Sequence, residues 1–431
     1  MTNVNDLHIE KEIQPLFDYT QNTFAYEALL TWLTRQPADM DTIFERQQII
    51  KAFLANENNI QPAGYAKADL YETHAFLSPI SNNKLFKKSR TELSVHLLWF
   101  VKEKQIISAH IIQCLLLFCK LHNCYFSRLS PNEFPGEFAI RLNQINAFLL
   151  AFNLNKYEPL IRNGKLDIGH IIGIIHIIQS KVESDEISVF WNNLFLFEAY
   201  LSIATAHKKR NLQFPEFTND NTFAITGFYH PALKSPVKNS ITQYHNVMLL
   251  TGPNMAGKST LLKAISLCVY LGHLGCGVPA DSCRMPFFET ISVAINVKDD
   301  LQNGYSHFLS EIKTLKNVVT DATHKRCFAV FDELFKGTNI EDALEISKQT
   351  IQGLVQFSHS IFLISTHLHQ LKDMINLQTI STYYIECLTE NNQPVFTYAL
   401  KQGWSDLKLG RLLFEQEGLT RLLKVEIRNE K

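Results

Sequence analysis

The sequence has almost no net charge, no long hydrophobic run and no apolar segment at its N-terminus. Its 41 Lys and Arg residues nearly balance 42 Asp and Glu residues, which leaves a formal net charge of -1. Because a dedicated nucleic-acid-binding domain usually has a basic excess, any contact with DNA must come from local basic patches. The N-terminus lacks the apolar core of a signal peptide, and the most apolar tract before residue 247, Ile168–Ile178, is too short to span a bilayer. We therefore expect a cytoplasmic protein without a membrane segment.

The eight cysteines include no C-x-x-C pair, which is typical of reduced thiols in the cytosol. Cys114, Cys119 and Cys124 recur at five-residue steps near two histidines. Such steps advance around a helix instead of staying on one face, so the pattern favours buried thiols over a metal site. With 46% apolar and 19% charged residues, the chain is globular and has enough material for two cores.

The stretch Val247–Thr260 combines an apolar run, a glycine loop and the start of a helix. Its spacing G-x-x-x-x-G-K-S is that of the P-loop, or Walker A motif. The two glycines let backbone N–H groups and the positive end of the helix dipole approach a phosphate. We expect Lys258 to reach the β- and γ-phosphates and Ser259 to ligate Mg²⁺. The predicted ATP-binding residues are Gly252, Pro253, Asn254, Met255, Ala256, Gly257, Lys258, Ser259 and Thr260.

Two further apolar runs end in polar side chains. Cys327–Phe331 is followed by Asp332 and Glu333, and Ile361–Ile364 is followed by a Ser-Thr-His sequence that ends at His367. Open α/β sheets place their ligands at the carboxyl ends of the strands, where a carboxylate pair suits a Mg²⁺ partner and a water-activating base. His367 is placed to sense a γ-phosphate, although an ordinary loop histidine is equally compatible with the sequence.

Six motifs in this order resemble the ATPase domain of the MutS family, the DNA mismatch-repair branch of the ABC-type ATPases. They extend over about half of the chain and are therefore specific. They are TGPNMAGKST, Val278-Pro279-Ala280, Asp299-Asp300-Leu301, the loop Gly304–Phe308, Asp332-Glu333 with Gly337-Thr338, and Thr366–Leu371.

The resemblance implies an ATPase that uses ATP and Mg²⁺ and forms a homodimer through its ATPase domains. Catalysis is then assigned to Glu333 as the base and His367 as the γ-phosphate sensor, and the metal to Ser259 and Asp332. Ser306 is expected in the signature loop that touches the partner subunit's ATP. The turn Gly337, Thr338 and Asn339 is expected to cross the dimer interface.

Three positions depart from the family pattern. Ala256 replaces a glycine, which is tolerable only if its φ is negative. Lys336 stands where the family has an arginine and keeps the charge without the bidentate fork. The Pro236–Asn239 stretch lacks the aromatic residue that stacks on adenine in the family, so base preference is less secure than phosphate binding.

The first half of the chain has apolar residues at helical spacing over several stretches. Its opening resembles the start of the MutS core domain at Thr20, Trp32, Leu33, Pro37, Ile43 and Arg46. We predict an all-α core and lever domain over residues 1–217 and an α/β P-loop (ABC-type) ATPase domain with a mixed sheet over residues 218–431. The aromatic residues Trp99, Phe100 and Phe118 are predicted to lie in the helical core.

We expect the chain to lack the family's mismatch-reading domain and full clamp, and therefore to have no mismatch reader of its own. The first function hypothesis is a MutS-like ATPase associated with branched or recombining DNA. The second is an ATP-gated dimerisation switch that recruits a protein partner and binds no DNA. The candidate DNA contacts form a basic cluster that is otherwise a solvated loop: Lys84, Lys87, Lys88 and Arg90.

Overall fold

The computed structural model describes residues 3–61, 64–78, 88–253, 256–295, 307–335, 337–390, 393–405 and 414–423. The chain divides into two compact units. The helical unit comprises Phe17–Arg35 and Phe44–Lys208, and the α/β unit comprises Met1–Leu16, Gln36–Ile43 and Lys209–Lys431. A helical first half followed by an α/β region is therefore confirmed.

The elements of the described residues follow the predicted order. The α-helices are Gln14–Phe17 (α1), Thr23–Thr34 (α2), Met40–Ala55 (α3), Lys67–Leu77 (α4), Arg90–Trp99 (α5), Val101–Leu121 (α6), Gly136–Ala151 (α7), Leu154–Arg162 (α8), Ile168–Glu183 (α9), Glu186–Lys209 (α10), Lys258–Leu274 (α11), His307–Ala322 (α12), Ile340–Leu354 (α13), Leu371–Met374 (α14) and Leu419–Leu422 (α15). The strands are Glu216–Thr218 (β1), Ala224–Phe228 (β2), Asn239–Thr242 (β3), Val247–Thr251 (β4), Ser282–Pro286 (β5), Thr290–Ala294 (β6), Cys327–Asp332 (β7), Ile361–Thr366 (β8), Ser381–Glu390 (β9) and Gln393–Gln402 (β10).

Several helices of the helical unit begin at a residue that caps them. The side chain of Asn22 accepts a hydrogen bond from the Ala25 N–H at the start of α2. Ser89 forms a reciprocal capping box with Glu92 at the start of α5. Each cap satisfies backbone donors that the first helical turn leaves without a partner, so these polar residues determine where the helices begin.

The prediction that Trp99 and Phe100 lie in the core is wrong. Trp99 is 80% exposed and Phe100 is 51% exposed, whereas Phe118 is fully buried as predicted. Helix α5 ends at Trp99, and Phe100 has non-helical backbone angles (φ -103°, ψ 76°) before α6 begins. Residues at such a junction have few neighbouring helices to pack against, and helical spacing alone does not reveal this.

A carboxylate is buried in the core of the helical unit. Glu198, on α10, is 4% exposed. It accepts hydrogen bonds from the Asn22 amide at 2.6 Å and from the hydroxyls of Tyr65 and Tyr125 at 2.6 and 3.1 Å. Burial raises the pKa of Glu198, while these donors oppose that shift. The network ties α10 to the start of α2 and to two connecting segments.

Two helices among the described residues are long and apolar enough, by length and composition, to cross a membrane. They are Val101–Phe126, whose most apolar window is 39% buried within the protein, and Glu186–Lys209, whose window is 72% buried. The core helix of a soluble protein passes the same test, so this composition is weak support for a membrane span.

The α/β unit contains two sheets. The six-stranded sheet has the order β10-β9-β4-β8-β7-β6, and the four-stranded sheet has the order β1-β5-β2-β3. In the larger sheet β9, β4, β8, β7 and β6 run parallel, and β10 pairs antiparallel with β9. The predicted mixed sheet and closing hairpin are therefore confirmed. Strand β8 lies between β4 and β7, which brings the carboxyl ends of these three strands to one edge.

The division of the chain differs from the predicted domain limits in two respects. The limit between residues 217 and 218 falls inside β1, and the compact units instead separate at Lys208–Lys209. The segment Met1–Leu16 groups with the α/β unit, where the N–H of Asn3 donates to the Ile291 carbonyl at 2.8 Å beside β6. Backbone pairing of this kind leaves no periodic pattern in the sequence.

Candidate functional site

The carboxyl edge of β4, β8 and β7 brings together part of the predicted site: the described residues of the glycine loop, Asp332, Glu333 and His367. The register places Thr251 beside Thr366 and Asp332 beside Ser365, so the three strands end at the same level. The glycine loop follows β4, Glu333 follows β7 and His367 follows β8. Parallel strands therefore bring three segments that are distant along the chain to one place.

Lys258 is the first residue of α11 and is only 5% exposed. Its ammonium donates to the carbonyls of Gly252 and Pro253 at 2.9 and 3.2 Å. It also lies 3.3 Å from Oε1 of Glu333. The loop itself therefore holds this cation at its centre. The two glycines of the loop have φ angles of 143° and 94°, a backbone conformation that other residues rarely adopt.

Ala256 stands in the glycine loop, directly before Gly257. It is fully buried, and its N–H lies 3.4 Å from the Pro253 carbonyl. That its φ is negative, the condition under which alanine replaces the family glycine without left-handed strain, stays a prediction.

Asp332 ends β7 with both carboxylate oxygens engaged. The hydroxyl of Ser259 donates to Oδ2, and the hydroxyl of Ser365 donates to Oδ1. Hydroxyl and carboxylate oxygens are the hard ligands that Mg²⁺ prefers, so the pair Ser259 and Asp332 fits a magnesium ion. Sequence reasoning did not assign a role to Ser365, although its position at the end of β8 was a usable signal. Among the described residues no group of three His, Cys, Asp or Glu side chains forms a separate metal cluster.

Glu333 is 8% exposed and has a φ of +55°. Its N–H donates to Oγ of Ser365 at 3.0 Å and lies 3.2 Å from the Ser365 carbonyl. Phe335 also has a positive φ, and its N–H donates to Oε2 of the buried Glu311 at 2.9 Å. A non-glycine residue in this conformation costs free energy and persists only where the surroundings hold it. The turn after β7 is thus a strained segment that is held by hydrogen bonds at both ends.

His367 lies at the open side of the site. Its side chain is 48% exposed, and its Nδ1 is 3.9 Å from Oε1 of Glu333. Lys258 and His367 therefore both approach the same carboxylate oxygen of Glu333. The distance to the histidine is too long for a direct hydrogen bond in this state.

A cavity of about 350 Å³ adjoins the glycine loop. Tyr398 reaches it from β10, where the ladder with β9 has an irregularity between Phe396 and Leu400 and Tyr398 has a φ of +56°. The Asn239 amide holds this bulge by donating to the Tyr398 carbonyl at 3.0 Å and accepting the Leu400 N–H at 2.7 Å. The residues that line the cavity include Tyr229, His230, Pro236, Val237, Ala256 and Tyr398.

Sequence reasoning missed Tyr398. A Cβ added to Gly257 would lie 3.3 Å from the Tyr398 ring, so the ring covers the backbone of the loop. No signal in the sequence marks the bulge, because β10 has ordinary strand composition on both sides of it. The Pro236–Asn239 stretch lines the cavity without an aromatic residue, and the tyrosines come from β10 and from the end of β2.

Several predicted residues fall outside the described part of the chain. These are Asn254, Met255, Ser306 and Lys336 near the loop and the signature segment, together with Lys84 and Lys87 of the basic cluster.

The remaining predicted residues are described. Asn339 caps α13 by accepting the Asp342 N–H at 2.8 Å. Gly337 lies so close to Phe308 that an added Cβ would be 3.0 Å from the Phe308 Cβ. Thr338 lies between Gly337 and Asn339 in the chain. In the helical unit, Nζ of Lys88 lies 3.0 Å from Nδ1 of His96, and Arg90 is exposed.

Two of the three thiols that were predicted to be buried are buried in the structure. Cys114 and Cys119 are buried, and burial raises the pKa of both thiols, that of Cys119 to about 11. Cys124 is half-buried.

Comparisons with known proteins agree with this arrangement. Residues 248–418 match the family model of MutS domain V. The chain is 29% identical over 218 residues to the DNA mismatch repair protein MutS of Geobacillus sp. (strain WCH70), which is 48% of this chain and 25% of that protein. It is 30% identical to the protein of the same name from Listeria innocua, again over 48% of this chain and 25% of that protein. With Halalkalibacterium halodurans the identity is 29% over 50% of this chain and 26% of the relative. The matched part spans about a quarter of the length of these relatives. Residues 248–418 of the chain therefore belong to domain V of the MutS family.

Proposed function

We propose that this chain binds and hydrolyses ATP in its α/β unit, as a P-loop ATPase of the ABC type. The observation that carries this proposal is the convergence of Lys258, Glu333 and the Ser259–Asp332 pair at one edge of the parallel strands. Members of the MutS family are ATPases, which supports the same activity here at the level of the family.

Each residue has a role that follows from its position. Lys258 exchanges its loop carbonyls for the β- and γ-phosphates when ATP enters, and backbone N–H groups of the loop bind the same anion. Ser259 and Asp332 hold Mg²⁺, which neutralises phosphate charge when it is bound. Glu333 takes a proton from the water whose oxygen attacks the γ-phosphorus, and the bond to the ADP oxygen breaks. His367 contacts the γ-phosphate from the open side.

We place the adenine base in the cavity beside the loop, against Tyr398. Replacing Tyr398 with alanine should weaken ATP binding by about 10- to 100-fold, because stacking of a base on an aromatic ring is worth about 1–3 kcal/mol. Tyr398→Phe keeps the ring and should bind ATP almost as the parent does. Equilibrium titration with a fluorescent ATP analogue measures both variants, and equal affinities for Tyr398→Ala and the parent would place the base elsewhere.

We propose that two α/β units dimerise around ATP. Ser306 immediately precedes α12, and the start of α12 lies against the turn at Gly337 through Phe308. Apolar side chains are exposed close to these two points in the chain: Leu309 is 38% exposed and Ile340 is 58% exposed. Exposed apolar groups beside a turn that ends in a helix cap suit a contact with a second copy of the chain.

We further propose that the ATPase acts in association with DNA, through local basic residues such as Lys88 and Arg90. A second candidate function is recruitment of a protein partner without DNA binding. It is favoured by a group of exposed apolar side chains at the junction of α5 and α6, which includes Val95, Leu98 and Trp99 at 56%, 65% and 80% exposure.

Steady-state ATP hydrolysis at several protein concentrations, with homoduplex, mismatched or branched DNA or with none, tests these proposals. We expect a specific rate that rises with protein concentration, because each site is completed by the partner subunit. The DNA-associated function is supported if one form of DNA changes the hydrolysis rate and if the double variant Lys88→Gln/Arg90→Gln no longer responds to that DNA. A rate indifferent to every DNA form favours the protein-recruiting function, and no hydrolysis above that of Glu333→Gln contradicts the ATPase itself.

A further inference from the structure

The helical unit contains a cavity of about 560 Å³ that has no part in the proposed ATP site. It lies between α2, the end of α4 and the beginning of α10. Its volume is within the range of about 300–1,000 Å³ that is usual for small-ligand sites. The cavity is therefore large enough to take a ligand or the side chain of a partner.

Aromatic rings form one side of this cavity. The Phe24 ring lies 4.3 Å from that of His74 and stacks on Phe195 at 4.9 Å, and Trp191 stacks on Phe195 at 5.6 Å. Trp191 and Phe195 are buried, whereas Phe24 and His74 are half-buried and face the accessible space. Aromatic faces attract cations through their quadrupole.

The charged residues that line the cavity all have the same sign. Glu27 on α2 and Asp185 before α10 are both exposed, and the described lining residues include no lysine or arginine. Within the described part of the chain neither carboxylate makes a side-chain hydrogen bond or an ion pair. Asp185 has a φ of +56°, which differs from the extended conformation of a helix N-cap residue. Its carboxylate is therefore not explained as a cap of α10.

His74 does not oppose a positive ligand. Burial lowers the pKa of His74, which disfavours the positively charged form of its imidazole. The two carboxylates therefore act on a ligand without a compensating positive charge from the lining. A phosphate group would be repelled by the same arrangement, which separates this cavity from any contact with DNA.

We propose that this cavity binds an organic cation, an ammonium or guanidinium group on an aliphatic chain. Glu27 and Asp185 pair with the charged group, and the faces of Phe24 and His74 contact the group and its methylenes. Two sources supply this chemistry: a free polyamine, and a lysine or arginine side chain of a partner polypeptide. Neither depends on ATP binding, so the proposal stands apart from the ATPase function.

Isothermal titration calorimetry of the full chain tests the proposal with two cationic probes, spermidine and the peptide acetyl-Gly-Arg-Gly-amide. The peptide acetyl-Gly-Gln-Gly-amide is the neutral control. We expect saturable binding of at least one cationic probe, and about a tenfold loss of affinity in the double variant Glu27→Gln/Asp185→Asn. Binding of spermidine alone identifies a polyamine site, and binding of the arginine peptide alone identifies a site for a partner's side chain.

The control variant Glu133→Gln removes one exposed carboxylate of the helical unit that does not line the cavity, and it should bind as the parent does. Asparagine tolerates the positive φ at position 185, so the double variant should fold, which circular dichroism checks. Phe24→Leu provides a second variant that removes the aromatic face and should also weaken binding. The proposal is overturned if neither cationic probe saturates by about 10 mM, or if the neutral peptide or the double variant binds equally well.

Discussion

Replacing Glu333 with glutamine is expected to lower steady-state ATP turnover by about 10²- to 10⁴-fold, the usual contribution of a general base. Glu333 is only 8% exposed, and the glutamine amide keeps the shape of its carboxylate. The amide cannot take a proton from water. ATP binding should persist, because Lys258 still donates to the carbonyls of Gly252 and Pro253 and remains available for phosphate. Release of phosphate measures turnover, and binding of a fluorescent ATP analogue measures affinity.

A matched control for this variant is Glu345→Gln. Glu345 is an exposed residue of α13, on the same unit as Glu333, and should give the parental rate. If Glu333→Gln hydrolyses ATP as fast as the parent, the base lies elsewhere. If it loses ATP binding together with turnover, the buried ion pair with Lys258 serves the folding of the loop and catalysis is not its main role.

The stability of the α/β unit should fall as the pH is lowered from about 6.5 to about 4, because of His273 on α11. This residue is fully buried: its Nδ1 donates to the Val269 carbonyl at 2.8 Å, and its Nε2 accepts the Phe288 N–H at 2.8 Å. Burial lowers the pKa of His273 from 6.5 to about 4. Between these two pKa values, His273 therefore binds a proton in the unfolded chain and remains neutral in the folded chain. This linkage costs roughly 3 kcal/mol between the two pH limits.

Denaturant unfolding of the parent and of His273→Gln at a series of pH values measures the contribution of His273 to the pH dependence of stability. At pH 7 the variant should be less stable, because glutamine loses ring packing and hydrogen bonds in the core. The difference between the two proteins should narrow as the pH falls, because glutamine has no proton to gain. The exposed His324→Gln is the control and should follow the parental slope. A difference between the parent and His273→Gln that stays constant with pH would show that His273 does not set the acid sensitivity.

The site residues that sequence reasoning could name are those governed by local rules. The spacing of the two glycines places Lys258 at the start of a helix, because glycine allows the tight backbone turn that joins the strand to the helix. Apolar runs that end in polar residues identify Asp332 and His367 as strand ends, and parallel strands bring such ends to one edge. The positions of these residues follow from the order of the elements along the chain and from the parallel direction of the strands. The contacts of the individual side chains are not needed for this prediction.

Tyr398 and Trp99 show where that reasoning stops. Tyr398 reaches the glycine loop because a bulge in β10 turns it out of the ladder, and a bulge depends on the pairing of β10 with β9 and on the Asn239 amide. Trp99 has the same helical spacing as a core residue, but it lies where α5 ends, and no element in the described ranges of the chain covers it. Apolar spacing predicts which face of a helix is buried only where another element packs against that face.

The sequence alone determined the family resemblance, the helical and α/β halves, and the residues that follow the parallel strands. These properties depend on residue type and on short spacing, and both can be read directly from the chain. Only the tertiary structure decided that Ser365 binds Asp332, that Tyr398 covers the loop, that residues 3–16 pack on the α/β unit, and that Glu27 and Asp185 face one cavity. Each of these is a contact between residues far apart in the chain. Such contacts follow from how whole elements pack, and no local pattern encodes the partner.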